Sequence, residues 1–176
     1  MLSILDVILL VAAIPIALGC AYLGLLAVLA RRRGAAPAER ESTIFDVIIP
    51  AHDEEEGIGA TVDSISRVDY PTSRRRIIVV ADNCSDDTAA IAKKHGAVVW
   101  ERRNPRLRGK GYALAWAFDR SLDEDLADAV VVIDADTLVS RNLLRAFAGR
   151  LAGGALAVQA DYGVRNTDDS WRTVLM

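Results

Sequence analysis

The sequence predicts an α/β fold in which a mainly parallel sheet carries helices on both faces, preceded by one transmembrane helix. Two observations predict it. Short β-branched apolar runs alternate with amphipathic stretches from residue 45 onward, and a long uncharged segment precedes them. Strands that alternate with helices at this spacing form βαβ units, whose strands are parallel. The 176 residues, 52% hydrophobic and 26% charged, are enough to bury a core and exclude a disordered chain.

The N-terminal segment is predicted to cross a membrane. Residues 7–30 contain no charged side chain, and as a helix they would extend about 36 Å, more than a hydrocarbon core of about 30 Å. The arginines at 31–33 follow at once and predict a cytoplasmic location for the domain after them. A cleaved signal peptide is the alternative, but the segment lacks a basic start and a small-residue cleavage site. We therefore assign 1–33 to an anchor in the inner or plasma membrane, 34–44 to a linker and 45–176 to the globular domain.

Five strands and four helices are expected in the globular domain. The strands are expected at residues 45–50, 76–81, 97–100, 129–134 and 155–160. The helices are expected at residues 55–68, 88–94, 111–122 and 141–151, where apolar residues recur every three or four positions or capping residues mark an end.

Carboxylates follow three of the predicted strands. They lie in residues 50–54 (PAHDE), at Asp82, and at Asp134 and Asp136. Because ligands bind at the carboxyl edge of an open parallel sheet, we expect these groups to converge there. Gathered carboxylates repel one another unless a cation lies among them, and a divalent cation with a phosphorylated ligand would serve. An Asp-x-Asp turn also occurs in solvated connections, so the motif alone leaves both interpretations open.

A basic loop precedes the third predicted helix. Its cations are Arg102, Arg103, Arg106, Arg108 and Lys110. Lys110 lies at a helix N-terminus, where backbone N–H groups favour an anion, which suggests a diphosphate. A solvated loop, or one that faces anionic lipid, is the alternative. Neither a Walker loop nor G-x-G-x-x-G occurs, which disfavours a P-loop or dinucleotide site, and the net charge of −3 disfavours a nucleic-acid partner.

Four motifs in this order resemble those of the family 2 glycosyltransferases, which have the GT-A fold, a Rossmann-like arrangement. They are VIIPAHDEEEGI (47–58), VVADNCSDDTAAIA (79–92), RGKGYALAWAF (108–118) and VVVIDADT (130–137). The resemblance covers residues 45–160, and four ordered motifs are far more specific than any one of them.

The resemblance implies a pocket for a nucleotide-sugar. The first-motif residues expected to line it are Pro50, Ala51, His52 and Glu54. The resemblance also implies that Asp82 reads a uracil ring and that Lys110 lies near the donor diphosphate. His52 and Asp53 stand where the family usually has an aromatic residue and Asn.

The resemblance also implies a metal site. Asp134 would contact the nucleotide-sugar, and Asp136 with Asp134 would hold Mn²⁺ or Mg²⁺, which neutralises the leaving diphosphate. The general base of inverting members follows the Asp-x-Asp motif at a distance. Asp168 and Asp169 are such a pair but come too soon, so no catalytic base is assigned.

These observations predict the donor-binding half of a membrane glycosyltransferase of polysaccharide biosynthesis, truncated at its C-terminus. It would transfer a sugar from a UDP-sugar to a glycan or lipid acceptor. One alternative is a non-catalytic, membrane-tethered module that binds a nucleotide-sugar. A sugar nucleotidyltransferase is less favoured, because its glycine-rich, arginine-containing loop after the first strand is missing.

Overall fold

The computed structural model describes residues 3–29 and 42–163. The chain divides into two compact units, Met1–Ala35 and Ala36–Met176. In the first, helix α1 spans Ile4–Leu29, and apolar side chains such as Leu18 and Leu23 are exposed. A search of the described residues found no helix with the length and hydropathy needed to cross a membrane. The predicted span is therefore not supported.

The arginines at 31–33, most of the predicted linker, and Asp168 and Asp169 lie outside the described residues. The division into 1–33, 34–44 and 45–176 stays a prediction.

The second unit contains a four-stranded parallel sheet in the order β3-β2-β1-β4. Its strands are β1 (Phe45–Ala51), β2 (Arg75–Asp82), β3 (Val98–Arg102) and β4 (Ala129–Val132). The central β1 is almost wholly buried, as expected of a strand with both faces covered.

Helices cover both faces of this sheet. They are α2 (Ile58–Ser66), α3 (Thr88–Lys94), α4 (Lys110–Glu124) and α5 (Leu143–Ala152), with a 3₁₀ turn at Thr72–Arg74. Successive side chains of a strand point to opposite faces, so β1 contributes to two cores. Val47 and Ile49 belong to one apolar cluster with residues of α2, α3 and α5, whereas Ile48 packs with Ala113 and Ala117 of α4. The predicted parallel α/β architecture is confirmed.

Most predicted elements differ from the structure by one to three residues at their ends, and one is absent from the described residues. The strand expected at 155–160 is not formed, because its apolar residues find no neighbouring strand within residues 42–163 to pair with, and Leu156 is fully exposed. Helix α2 begins at Ile58 rather than residue 55, because the N–H groups of Gly57 and Ile58 both donate to the carbonyl of Glu54 and close a turn there. Strand β4 ends at Val132, two residues earlier than predicted.

A group of paired charges lies at the amino edge of the sheet. Arg76 donates to the fully buried carboxylate of Asp46 through Nε at 2.7 Å and Nη2 at 2.5 Å. Its Nη1 also donates to Glu124 at 2.6 Å, and the hydroxyl of Ser121 donates to Asp46 at 2.6 Å. Arg120 donates to Glu124 at 3.1 Å, so two guanidinium groups neutralise the two carboxylates at this edge.

Candidate functional site

The end of β1 carries the first group of predicted site residues. The backbone of Asp53 is left-handed (φ 54°), a conformation that Asp tolerates better than most residues. Its carboxylate accepts the N–H of Ser85 at 2.6 Å, and this hydrogen bond lowers the pKa of Asp53 because it favours the ionised form. The N–H of Glu54 donates to Thr88 Oγ1 at 2.8 Å. The turn after β1 is thus tied to the turn after β2.

Asp82 ends β2 and is only 4% exposed. Its Oδ1 accepts Arg102 Nη1 at 2.5 Å and Asn83 Nδ2 at 2.9 Å, while its backbone carbonyl lies 2.7 Å from His52 Nδ1. Breaking a buried ion pair by removing one partner is strongly destabilising. These contacts therefore fix the orientation of the predicted base-reading residue.

Arg102 has a role that sequence reasoning missed, since it was predicted to belong to the basic loop. It ends β3, is 7% exposed, and also donates through Nη1 to the carbonyl of Leu107 at 2.9 Å. The signal that could have found it is parallel register, because β3 places Arg102 beside Asp82. The loop that follows is thereby held against the end of β2.

Lys110 and Asp134 form an ion pair between Nζ and Oδ1. Lys110 is the first residue of α4, and Gly109 before it has φ 107°, a conformation that favours glycine. The two side chains are 54% and 42% exposed, so both remain open to a ligand. The structure therefore brings together two residues predicted for the diphosphate and metal sites.

The Asp134–Asp136 turn follows β4. The N–H of Thr137 donates to the carbonyl of Asp134 at 3.0 Å, and the hydroxyl of Thr61 donates to the carbonyl of Ala135 at 2.6 Å. The Asp136 side chain is exposed, and within residues 42–163 its carboxylate has no hydrogen bond or ion pair. Two carboxylates, one without a protein partner, form a donor set that suits Mg²⁺ or Mn²⁺.

A cavity of about 400 Å³ lies at the carboxyl edge of the sheet. Its lining consists of Pro50, Ala51, His52, Asp82, Asn83, Arg108, Gly109, Lys110 and Ala113. Five of these are predicted site residues, and Asn83 was not foreseen. Glu54, Asp134 and Asp136 are not part of the lining, although the ion pair with Lys110 joins Asp134 to its rim.

His52, Asp53 and Cys84 form a further group, whose ligand atoms lie within 4.8 Å of one another. Each of the three makes a contact within the protein. His52 Nδ1 lies at the carbonyl of Asp82, Asp53 accepts the N–H of Ser85, and Cys84 Sγ lies 3.5 Å from the carbonyl of Ala51. Burial raises the pKa of the Cys84 thiol. These contacts give each of the three residues a partner within the protein, and His52 also lines the cavity.

An open parallel sheet whose carboxyl edge carries a buried carboxylate, a cationic helix start and an Asp-x-Asp turn beside one cavity is typical of nucleotide-binding α/β domains. The family model for glycosyl transferase family 2 matches residues 46–175. The chain belongs to this family.

Curated relatives include the probable glycosyltransferase YdaM of Bacillus subtilis (strain 168), which is 36% identical over 101 residues, 55% of this chain and 24% of YdaM. Glucosyl-3-phosphoglycerate synthase of Mycolicibacterium paratuberculosis is 37% identical over 107 residues, 57% of this chain and 31% of the synthase. The match therefore spans less than a third of each of these relatives.

Two solved structures have a similar fold. The mannosyltransferase PcManGT from Pyrobaculum calidifontis, in complex with GDP-Man and Mn²⁺, has a TM-score of 0.61 and 26% identity, covering 92% of this chain and 49% of PcManGT. Glucosyl-3-phosphoglycerate synthase from Mycobacterium tuberculosis in complex with UDP has a TM-score of 0.53 and 30% identity, covering 76% of this chain and 50% of the synthase. These relatives support the GT-A interpretation.

Proposed function

We propose that this chain binds a nucleotide-sugar whose nucleotide is UDP, together with Mn²⁺ or Mg²⁺. We further propose that it serves an enzyme that transfers the sugar to a glycan or lipid acceptor. The observation that carries the proposal is that Asp82 and Lys110 line one cavity and that Lys110 forms an ion pair with Asp134, the first residue of the Asp134–Asp136 turn. The nucleotide in one similar structure is UDP and in another it is GDP-Man with Mn²⁺, which supports the ligand class.

The environment of Asp82 supports a particular kind of base. An ionised carboxylate only accepts hydrogen bonds, and Asp82 accepts one from Arg102 at 2.5 Å. Such a group pairs well with a base that presents a ring N–H, as uracil and guanine do. Cytosine and adenine present an unprotonated ring nitrogen in the corresponding position, which repels a carboxylate, so each would have to pair through its exocyclic amino group alone.

The other end of the site supplies charge for a diphosphate. The ammonium of Lys110 lies at the start of α4, where backbone N–H groups also point outward. Asp134 and Asp136 would hold the divalent cation, which when bound would stabilise the negative charge that develops on the leaving diphosphate. The same residues would orient the donor.

A second candidate is the non-catalytic binding module. The observation in its favour is that the match spans less than a third of the curated relatives, and no residue of 42–163 is assigned as the acceptor base. Transfer of radiolabelled sugar from a UDP-sugar to membrane extract by this chain would exclude it. Donor binding without transfer would favour it.

Calorimetric titration of UDP, GDP and CDP, with and without MnCl₂, tests the donor site. We expect UDP to bind at least about tenfold more tightly than CDP, the equivalent of one good hydrogen bond. We also expect Mn²⁺ to strengthen UDP binding in the wild-type chain but not in Asp136→Asn. Equal affinities for UDP and CDP, or no effect of Mn²⁺, would contradict the proposal.

Membrane attachment through residues 1–33, with the catalytic domain in the cytoplasm, is also proposed. Its support is the uncharged run at 7–30, the arginines after it and the exposed apolar side chains of α1. Fractionation of cells that express the full chain and a 42–176 fragment tests it. The full chain should sediment with membranes in carbonate, and its recovery in the soluble fraction would overturn the proposal.

A further inference from the structure

We propose that Thr61 is a positioning residue for the metal-binding turn, which it holds through its side-chain hydroxyl. The inference rests on the proposed function, because it takes Asp136 to be a metal ligand. Thr61 belongs to α2 and does not follow a strand, and it is not itself proposed as a metal ligand.

Thr61 is almost completely buried, with 1% of its surface exposed. Its Oγ1–H donates to the carbonyl of Ala135 at 2.6 Å, and Ala135 is the residue between the two aspartates. A threonine hydroxyl within a helix often bonds a carbonyl one turn back in the same helix. Here the hydroxyl instead leaves the helix and bonds a carbonyl 74 residues further along the chain.

A second hydroxyl on α2 extends this contact. Ser64 lies one turn after Thr61, and its Oγ–H donates to the carbonyl of Thr61 at 2.8 Å. The same oxygen accepts the N–H of Val139 at 3.3 Å. The two hydroxyls therefore hold the segment after β4 at both of its ends, Ala135 and Val139.

The consequence is a fixed backbone beneath a free carboxylate. Asp136 lies between the two held positions, is exposed, and makes no hydrogen bond or ion pair within residues 42–163. A ligand that is held in place before its metal arrives binds more tightly than one that must be ordered on binding. Outer groups that orient metal ligands are typically worth about 10–100-fold in metal affinity.

The matched variants are Thr61→Val, which keeps the branched shape but removes the hydroxyl, and Thr61→Ser, which keeps the hydroxyl. Mn²⁺ affinity in the presence of UDP is measured by electron paramagnetic resonance of free Mn²⁺, and UDP affinity without metal by calorimetry. We expect Thr61→Val to weaken Mn²⁺ binding about tenfold, with metal-free UDP binding within about twofold of wild type. Thr61→Ser should recover most of the Mn²⁺ affinity.

Ser121→Ala is the control. It also removes one buried hydroxyl that donates a 2.6 Å hydrogen bond, but to Asp46 at the amino edge of the sheet. We expect it to lower the free energy of unfolding without changing the Mn²⁺ affinity. Ser64→Ala is a second probe of the turn, expected to weaken Mn²⁺ binding severalfold, and it provides the test if Thr61→Val does not fold.

The outcomes separate this inference from the proposed function. If Asp136→Asn keeps full Mn²⁺ dependence, the metal site itself is wrong. If Asp136→Asn abolishes it but Thr61→Val, or Ser64→Ala in its place, binds Mn²⁺ like the wild type, the positioning role is wrong. Equal losses of UDP affinity with and without metal in Thr61→Val would also overturn it, because they indicate a general structural effect.

Discussion

The amino edge of the sheet and the Asp134–Asp136 turn at its carboxyl edge treat charge in opposite ways. At the amino edge, the buried Asp46 is enclosed by Arg76 and Ser121, and Arg76 also meets Glu124. At the carboxyl edge, Asp136 has no protein partner within the described part of the domain, and Asp134 shares only an exposed pair with Lys110. Charges that satisfy one another stabilise a fold, whereas carboxylates left open can bind a ligand.

The largest expected effect is on stability, at the amino edge. Arg76→Met leaves the fully buried Asp46 without its cation, and breaking a buried pair in this way costs about 3–5 kcal/mol. Urea unfolding followed by circular dichroism measures the change. An equal loss of stability in Asp136→Asn would break the comparison, because that side chain has no partner to lose.

Next is the effect of Arg102→Met on donor binding. Asp82 would lose the Nη1 contact at 2.5 Å, and a hydrogen bond to a charged group is worth about 1.5–3 kcal/mol. We expect UDP affinity to fall about 10–100-fold as Asp82 loses this partner and its fixed orientation. Calorimetry measures this, and Arg103→Met, in the neighbouring exposed arginine, should bind UDP within about threefold of wild type. Similar losses in both variants would argue for a general electrostatic effect.

Asp136→Asn tests the comparison between the two edges at the carboxyl edge of the sheet. Because the exposed carboxylate makes no contact in the described residues, the free energy of unfolding should change by less than about 0.5 kcal/mol. The Mn²⁺-dependent part of UDP binding should nevertheless disappear. A marked loss of stability measured in urea would show that this edge also has a structural role.

The smallest expected effect is on the stability of the fold at low pH. The hydrogen bond from Arg76 lowers the pKa of Glu124 below its ordinary value of 4.5, so this ion pair stabilises the fold above about pH 4.5 and is lost as the pH falls through the lower folded-state pKa. Glu124 is partly exposed, which limits the contribution to about 1 kcal/mol or less. Urea unfolding at pH 7 and pH 3 measures the free energy of unfolding, which should fall less on acidification in Glu124→Gln than in the wild type. Identical losses would show that this ion pair does not stabilise the amino edge.

The sheet could be predicted from the sequence because its strands contain apolar runs, such as residues 77–81 (IIVVA), that alternate with stretches of helical periodicity. The location of the candidate site at the carboxyl edge of the sheet could be predicted from the same pattern, because polar residues come directly after each apolar run. The strand expected at 155–160 shows the limit of that reasoning. An apolar run favours a strand, but its backbone hydrogen bonds must be made with a neighbouring strand.

Contacts between distant residues could not be predicted in this way. Arg102 looks like one more cation in a basic run, and only the parallel register shows that it neutralises Asp82. Thr61 is one polar residue in an amphipathic helix, and nothing in its local sequence indicates a partner 74 residues away. Arg76 ends a run of three arginines, and nothing in that run indicates its ion pair with the buried Asp46.

The ion pair between Lys110 and Asp134 means that a divalent cation held by both aspartates of the turn would compete with an ammonium for Asp134. The turn presents a net charge of about −1 instead of −2, since the ammonium already compensates one of its aspartates. With the cation held by Asp134 and Asp136, Lys110 at the start of α4 would be available to the diphosphate. Because added salt weakens the original pair as well as its replacement, the metal affinity should depend less on ionic strength than it would with two bare carboxylates.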